Sequence, residues 1–292
     1  MTNSIQSMIK EAIKAEANNY DMEELRKQEN KYDTVTLYHG TNSYYLNKIL
    51  EQGILPQNLT GNNNWRKEEA LANENIVYLT NKWHYFYAYN SLEMLLEKKY
   101  GEDWNLREEA QWWNNGNVFP IYLEIEIPKA YLCLDEDIVY SKFVKDMIKR
   151  AVKKGEDLNL ALTWNDCLSH HGTVGVRGSI PAEYIKKIHV LADYHLYELL
   201  NNRQGKYQKD FRKWIEGRGK GNLTNLDYLK MEEEKAKLVG DVEVKLIPKG
   251  YKISQFYYDK EELRESGKKG KMVAVCNTPE DYVTQPMQLE KI

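Results

Sequence analysis

Apolar residues alternate with polar ones in some short runs of this chain and recur at three- and four-residue spacing in others, and the order of these runs predicts an α+β protein. Val35 and Leu37 share a strand face with His39, because successive strand residues point to opposite sides. Ile76–Thr80 is a second apolar strand, closed by Tyr78. In the run from Val118 to Ile127, Ile121, Leu123, Ile125 and Ile127 fall on one face and Glu124 and Glu126 on the other, facing solvent. Gly172–Arg177 and Lys187–Leu191 read as two further strands. Helical spacing marks Tyr44–Glu51, stopped at Gln52-Gly53, and the stretch from Tyr85 to Lys99. Near the start, Ile5, Met8, Ile9, Ala12, Ile13 and Ala17 form one apolar stripe, expected to dock on the chain's own domain; a partner-binding or membrane-surface helix is the alternative. A glycine-rich break at Gly217–Gly221 precedes a charged helix around Leu226–Leu238 and strands at Val242–Ile247 and Lys271–Cys276.

With 292 residues, 42% hydrophobic and 29% charged, the chain can bury one main domain plus an accessory piece. It lacks a leader pattern and a bilayer-length apolar run, so a soluble, cytoplasmic protein without membrane contact is expected. A net charge of −3 gives no general attraction for nucleic acid. Two local basic runs remain, Lys142–Lys154 and Arg203–Lys220; the second is interleaved with Tyr207, Phe211 and Trp214 and fits either phosphate and base contacts or a solvated helix face. Cys133, Cys167 and Cys276 stand apart, and His170 and His171, being adjacent, point in opposite directions and cannot share one ion, so no metal is expected.

The chemistry concentrates in Thr36-Leu-Tyr-His-Gly-Thr41. His39 emerges where the strand is expected to end. Gly40 lets a ligand approach the backbone, and Thr41 adds a hydroxyl. The same three residues also fit a simple strand end, with Gly40 turning the chain and Thr41 or Asn42-Ser43 capping the next helix. Tyr78 closes one apolar strand, and Tyr89 lies eleven positions later at the end of an aromatic run, where core packing is one reading of it. Together these segments resemble the ADP-ribosyltransferase superfamily, in its diphtheria-toxin-like and poly(ADP-ribose)-polymerase-like branch. The resemblance implies a split mixed β-sheet with flanking helices and NAD as co-substrate. It places the ribose on His39 and Thr41, the nicotinamide amide on the Gly40 backbone, and the nicotinamide ring between Tyr78 and Tyr89. Cleavage through an oxocarbenium-like state would pass ADP-ribose to a protein or nucleic-acid acceptor. Transferases of this size are commonly toxins, defence factors or phage-encoded modifiers.

The family's third motif, an acid on the strand before a Pro-containing turn, is altered. The turn is recognisable at Gly178–Ile185, and Thr173 stands near the acid position, where a hydroxyl cannot stabilise a growing positive charge. Asp166 is the first candidate to replace it, while Glu183 belongs to the turn. Arg177 shares the strand face of Thr173 and is expected either to hold the pyrophosphate or to sit at the surface. The expected organisation is an N-terminal helical segment (1–31), a transferase-like domain (32–200) and a C-terminal accessory region (201–292) suited to partner docking. Two other functions stay open: an NAD- or nucleotide-binding module without catalysis, and an RNA 2′-phosphotransferase, against which the lack of an Arg shortly after Thr41 counts.

Overall fold

A computed structural model describes residues 2–31, 33–61, 72–101, 118–155, 161–191, 225–244, 252–258 and 272–277. The basic run Arg203–Lys220 lies outside the described residues. In chain order the elements are α1 (Thr2–Asn18), α2 (Met22–Gln28), β1 (Thr34–Asn42), α3 (Ser43–Gln52), α4 (Gln57–Thr60), β2 (Ile76–Thr80), α5 (His84–Tyr100), β3 (Pro120–Pro128), β4 (Leu132–Cys133), α6 (Lys142–Lys154), α7 (Trp164–His170), β5 (Thr173–Arg177), β6 (Ile185–Leu191), α8 (Asn225–Val239), β7 (Asp241–Val244), β8 (Lys252–Tyr258) and β9 (Met272–Asn277). No described helix is long and apolar enough to cross a membrane.

Seven strands form one sheet in the order β4-β5-β2-β1-β3-β6-β7, and β8 pairs with β9 separately. Every pairing is antiparallel, in place of the mixed sheet expected. The sheet is nonetheless divided. β1 and β3 pair along the whole of β1, whereas β1 meets β2 at the single position Tyr38↔Thr80. The two halves separate beyond that point. β3, between β1 and β6, has Ile121, Leu123, Ile125 and Ile127 fully buried, and Leu37, Leu92, Leu96, Ile188 and Val190 complete the core around it. Burial of this many branched apolar side chains, at about 1.5–3 kcal/mol each, supplies the main driving force for this half of the fold.

α3 begins at Ser43 because the Asn42 carboxamide accepts from the Tyr44 N–H at 3.1 Å, while its amide donates to Ser91 on α5. The strand therefore runs on to Asn42, and His39 projects from its interior rather than from its end. α1 docks on its own chain: Ile13 packs with Ile138, Val139, Val144 and Ile148, and Gln6 donates to the Val139 carbonyl at 2.8 Å.

At the other end of the sheet, Asp241 on β7 accepts from Tyr85, Tyr122 and His189, each at 2.8 Å. His84 lies against the rings of Tyr38, Tyr122 and Tyr85, and its Nδ1 is buried without a hydrogen-bond partner among the described residues. Burial pushes its imidazole down to about 4 from an ordinary value of 6.5, with Asp241 opposing and His189 assisting. The folded state thus binds fewer protons at His84 than the unfolded chain does. Its contribution is intact above pH 6.5 and is lost as pH falls toward 4, a change of about 3 kcal/mol for a shift of this size. Urea midpoints measured across this window should fall with pH, and His84→Phe should flatten the slope.

Candidate functional site

Where β1 and β2 diverge, a cavity of about 830 Å³ opens between β1, β2, α3 and α5. His39, Gly40, Thr41 and Tyr78 all line it. Nδ1 of His39 lies 3.2 Å from the Tyr78 carbonyl oxygen, which can only accept, so Nδ1 carries the proton and Nε2 is left as an acceptor. Burial lowers the His39 pKa, partly offset by this hydrogen bond, and the ring is held neutral.

Gly40, which lines the cavity, also meets a packing requirement that the sequence did not show. A Cβ there would lie 2.4 Å from the Ala88 nitrogen and 2.5 Å from the Tyr87 carbonyl carbon, so its absence admits the α5 backbone against β1. That approach carries Tyr87, Asn90 and Met94 into the cavity wall, where Trp83 and Phe86 join them. Tyr89 falls on the opposite face of α5 with Tyr85, Ala88 and Leu92, is 9% exposed, and belongs to the core. The α5 rings that line the cavity with Tyr78 are therefore Trp83, Phe86 and Tyr87.

Thr173 does occupy the strand position next to the site, but as a support. Its hydroxyl donates to Oδ2 of Asp135 in a short hydrogen bond, while Oδ1 of Asp135 accepts from the Asp137 N–H at 2.8 Å. Asp135 is 4% exposed and its carboxyl is pushed upward, chiefly by burial, with His171, Thr173 and the Asp137 N–H opposing. The two residues that follow take separate partners. Glu136 accepts from the Tyr78 hydroxyl at 2.6 Å and from the Asn73 N–H at 2.9 Å, which fixes Tyr78 by its oxygen as well as its ring. Asp137 pairs with Lys10 of α1 at 2.7 Å. Burial would lower the Lys10 pKa, but the hydrogen bond and charge of Asp137 outweigh it and hold the ammonium above its usual range. Both Asp135 and Asp137 line the cavity, together with His171.

The other expected site residues lie elsewhere. Asp166 is a half-buried capping residue: its carboxylate accepts from the N–H and hydroxyl of Thr163 at 2.8 and 2.7 Å, starting α7. Arg177 donates to the Leu132 carbonyl at 2.7 Å and pairs with Glu16 at 2.9 Å, so it ties α1 to the sheet and does not line the cavity. His170 and His171 do point apart, His170 stacking on Phe143 at 4.1 Å between centroids.

Donor atoms of Asp135, Asp137 and His171 lie within 4.8 Å of one another, the residue types a divalent cation uses. Lys10 already compensates Asp137, and both oxygens of Asp135 already accept, so the group is better suited to acid–base and electrostatic work. Lys48 is the one cationic side chain lining the cavity among the described residues. Compared with family models, curated proteins and solved structures, the chain matches none.

Proposed function

We propose that this chain is an NAD-dependent ADP-ribosyltransferase that cleaves the nicotinamide–ribose bond. The observation carrying this reading is that one cavity unites His39 and Tyr78 with the buried carboxyl of Asp135, although 96 positions separate His39 from Asp135. A volume of about 830 Å³ lies within the range of small-molecule sites.

In this reading, Nε2 of His39 accepts from a ribose hydroxyl. Tyr78 and the α5 aromatics flank the nicotinamide ring, and Lys48 faces the diphosphate. As the glycosidic bond breaks, its electron pair leaves with nicotinamide and positive charge grows on the ribose. Asp135 and Asp137 sit where that charge is stabilised. The acceptor is a macromolecule, protein or nucleic acid. The alternative of a purely binding module rested on Thr173 in place of an acid, and a carboxylate in the cavity favours the transferase reading over it.

Purified protein incubated with NAD labelled in the nicotinamide should release the label, and calorimetric titration should give saturable NAD binding. His39→Ala should weaken that binding about tenfold or more, the equivalent of one lost hydrogen bond of about 1.4 kcal/mol, beyond the fall in melting temperature that follows from leaving the Tyr78 carbonyl without its partner. An unmodified protein that neither binds nor cleaves NAD would refute the reading.

A further inference from the structure

His171 is held at the cavity wall by its backbone. Its N–H donates to the Cys167 carbonyl at 2.8 Å at the end of α7, and its own carbonyl accepts from Trp83 Nε1 at 2.9 Å. The next residue, Gly172, has φ +89°, and its carbonyl accepts from the Thr80 hydroxyl at 2.5 Å. A Cβ on Gly172 would lie 2.6 Å from Trp83 Nε1, so the segment packs closely against that ring. The imidazole so positioned lines the cavity, and its Nδ1 is buried with no hydrogen-bond partner among the described residues. Carboxylate oxygens of Asp135 and Asp137 lie within 4.8 Å of its donor atom. The mechanism above uses those carboxylates and leaves this histidine unemployed. Lys10, on Asp137, Tyr87, whose hydroxyl is influenced by both carboxylates, the Cys167 thiol on the Asp135 backbone, and Glu136 are titratable groups beside those carboxylates.

We propose that His171 is the base that takes the proton from the acceptor during ADP-ribose transfer, so that the acceptor atom is one bearing a removable proton, a hydroxyl or an N–H. This rests on the NAD-cleaving reading of the same cavity. The balance is simple. The acceptor lone pair forms the new bond to the anomeric carbon, the old glycosidic electron pair departs with neutral nicotinamide, and the acceptor proton moves to the imidazole. The resulting imidazolium is offset by Asp135 and Asp137 and afterwards returns its proton to solvent.

Two reactions of the same intermediate separate this role from a structural one. Nicotinamide attacks through a ring nitrogen that carries no proton, so exchange of labelled nicotinamide into NAD needs no base. Attack by water or methanol does. His171→Gln should therefore keep exchange within about threefold of the unmodified protein while hydrolysis and methanolysis fall about a hundredfold. Added imidazole should restore transfer in His171→Gly.

If exchange and transfer fall together, or if neither falls, His171 is not the base, and the NAD-cleaving reading survives. Exchange by the unmodified protein without transfer to water or methanol also overturns the base. An unmodified protein that neither exchanges nor hydrolyses overturns the reading of the cavity as well.

Discussion

Asp135→Asn is expected to lower nicotinamide release by a factor of about a hundred to a thousand, while NAD affinity stays within about threefold. The substitution is nearly isosteric. Oδ1 of the asparagine still accepts from the Asp137 N–H, and its amide meets the Thr173 hydroxyl, which can accept as readily as donate. The change is the loss of a charge that acts as the ribose becomes cationic, an interaction made in the transition state and worth about 2.7–4 kcal/mol when removed from a preorganised site. The effect should accordingly appear in kcat and scarcely in KM. Asp166→Asn is the matched control. Asp166 caps α7 at the surface, so its loss should cost about 1 kcal/mol of stability and leave turnover within twofold. Single-turnover rates on both variants decide the matter: a slow Asp166→Asn beside a normal Asp135→Asn would reverse the assignment.

The contrast between these two aspartates shows which parts of the site the sequence carries. Thr163-Trp-Asn-Asp166 is a capping-box pattern, so the local role of Asp166 was readable from spacing alone. Asp135 follows β4, which is two residues long and gives no periodic signal, and it reaches the cavity through its bond with Thr173, 38 positions later. The three consecutive acids Asp135-Glu136-Asp137 after an apolar Leu-Cys-Leu run were the available clue. Such a run reads as solvated surface until Lys10, Tyr78 and Thr173 are found around it.

The major strands and helices were legible because one face of each is buried, which imposes period two or period 3.6 on the apolar residues. The same logic corrects Tyr89. Leu92, Leu95 and Leu96 fix the core-facing stripe of α5, and Tyr85, Ala88 and Tyr89 continue it, so the phase of the helix assigns Tyr89 to the core and Phe86, Tyr87 and Asn90 to the cavity. Spacing from Tyr78 alone ignores that phase. Chain order locates Thr173 on its strand but does not show that the Asp135 carboxyl leans against it. The docking of α1 was legible as an apolar stripe. Lys10 on its flank became meaningful only through the contact with Asp137.

Gly40→Ala is expected to destabilise the protein by about 3 kcal/mol, lowering the melting temperature by roughly 6–12 °C. The atoms a Cβ would strike are the backbone and Cβ of α5 at Tyr87 and Ala88, all within 2.5 Å, and none is the free end of a flexible side chain. Helix α5 would have to retreat from β1 as a unit. Its retreat is opposed by Tyr85, Ala88, Leu92 and Leu96, which are packed in the main core. Because Tyr87 and Asn90 ride on the same helix, NAD binding should weaken in the fraction that remains folded. Gly155→Ala separates this from any general cost of replacing glycine. It meets nothing within 4 Å at a φ of +67° and should cost only the left-handed backbone penalty of about 1–2 kcal/mol. Thermal melts of equal depression for the two variants would mean that β1 and α5 are farther apart than 2.4 Å of clearance implies, and that Gly40 is there for the ligand after all.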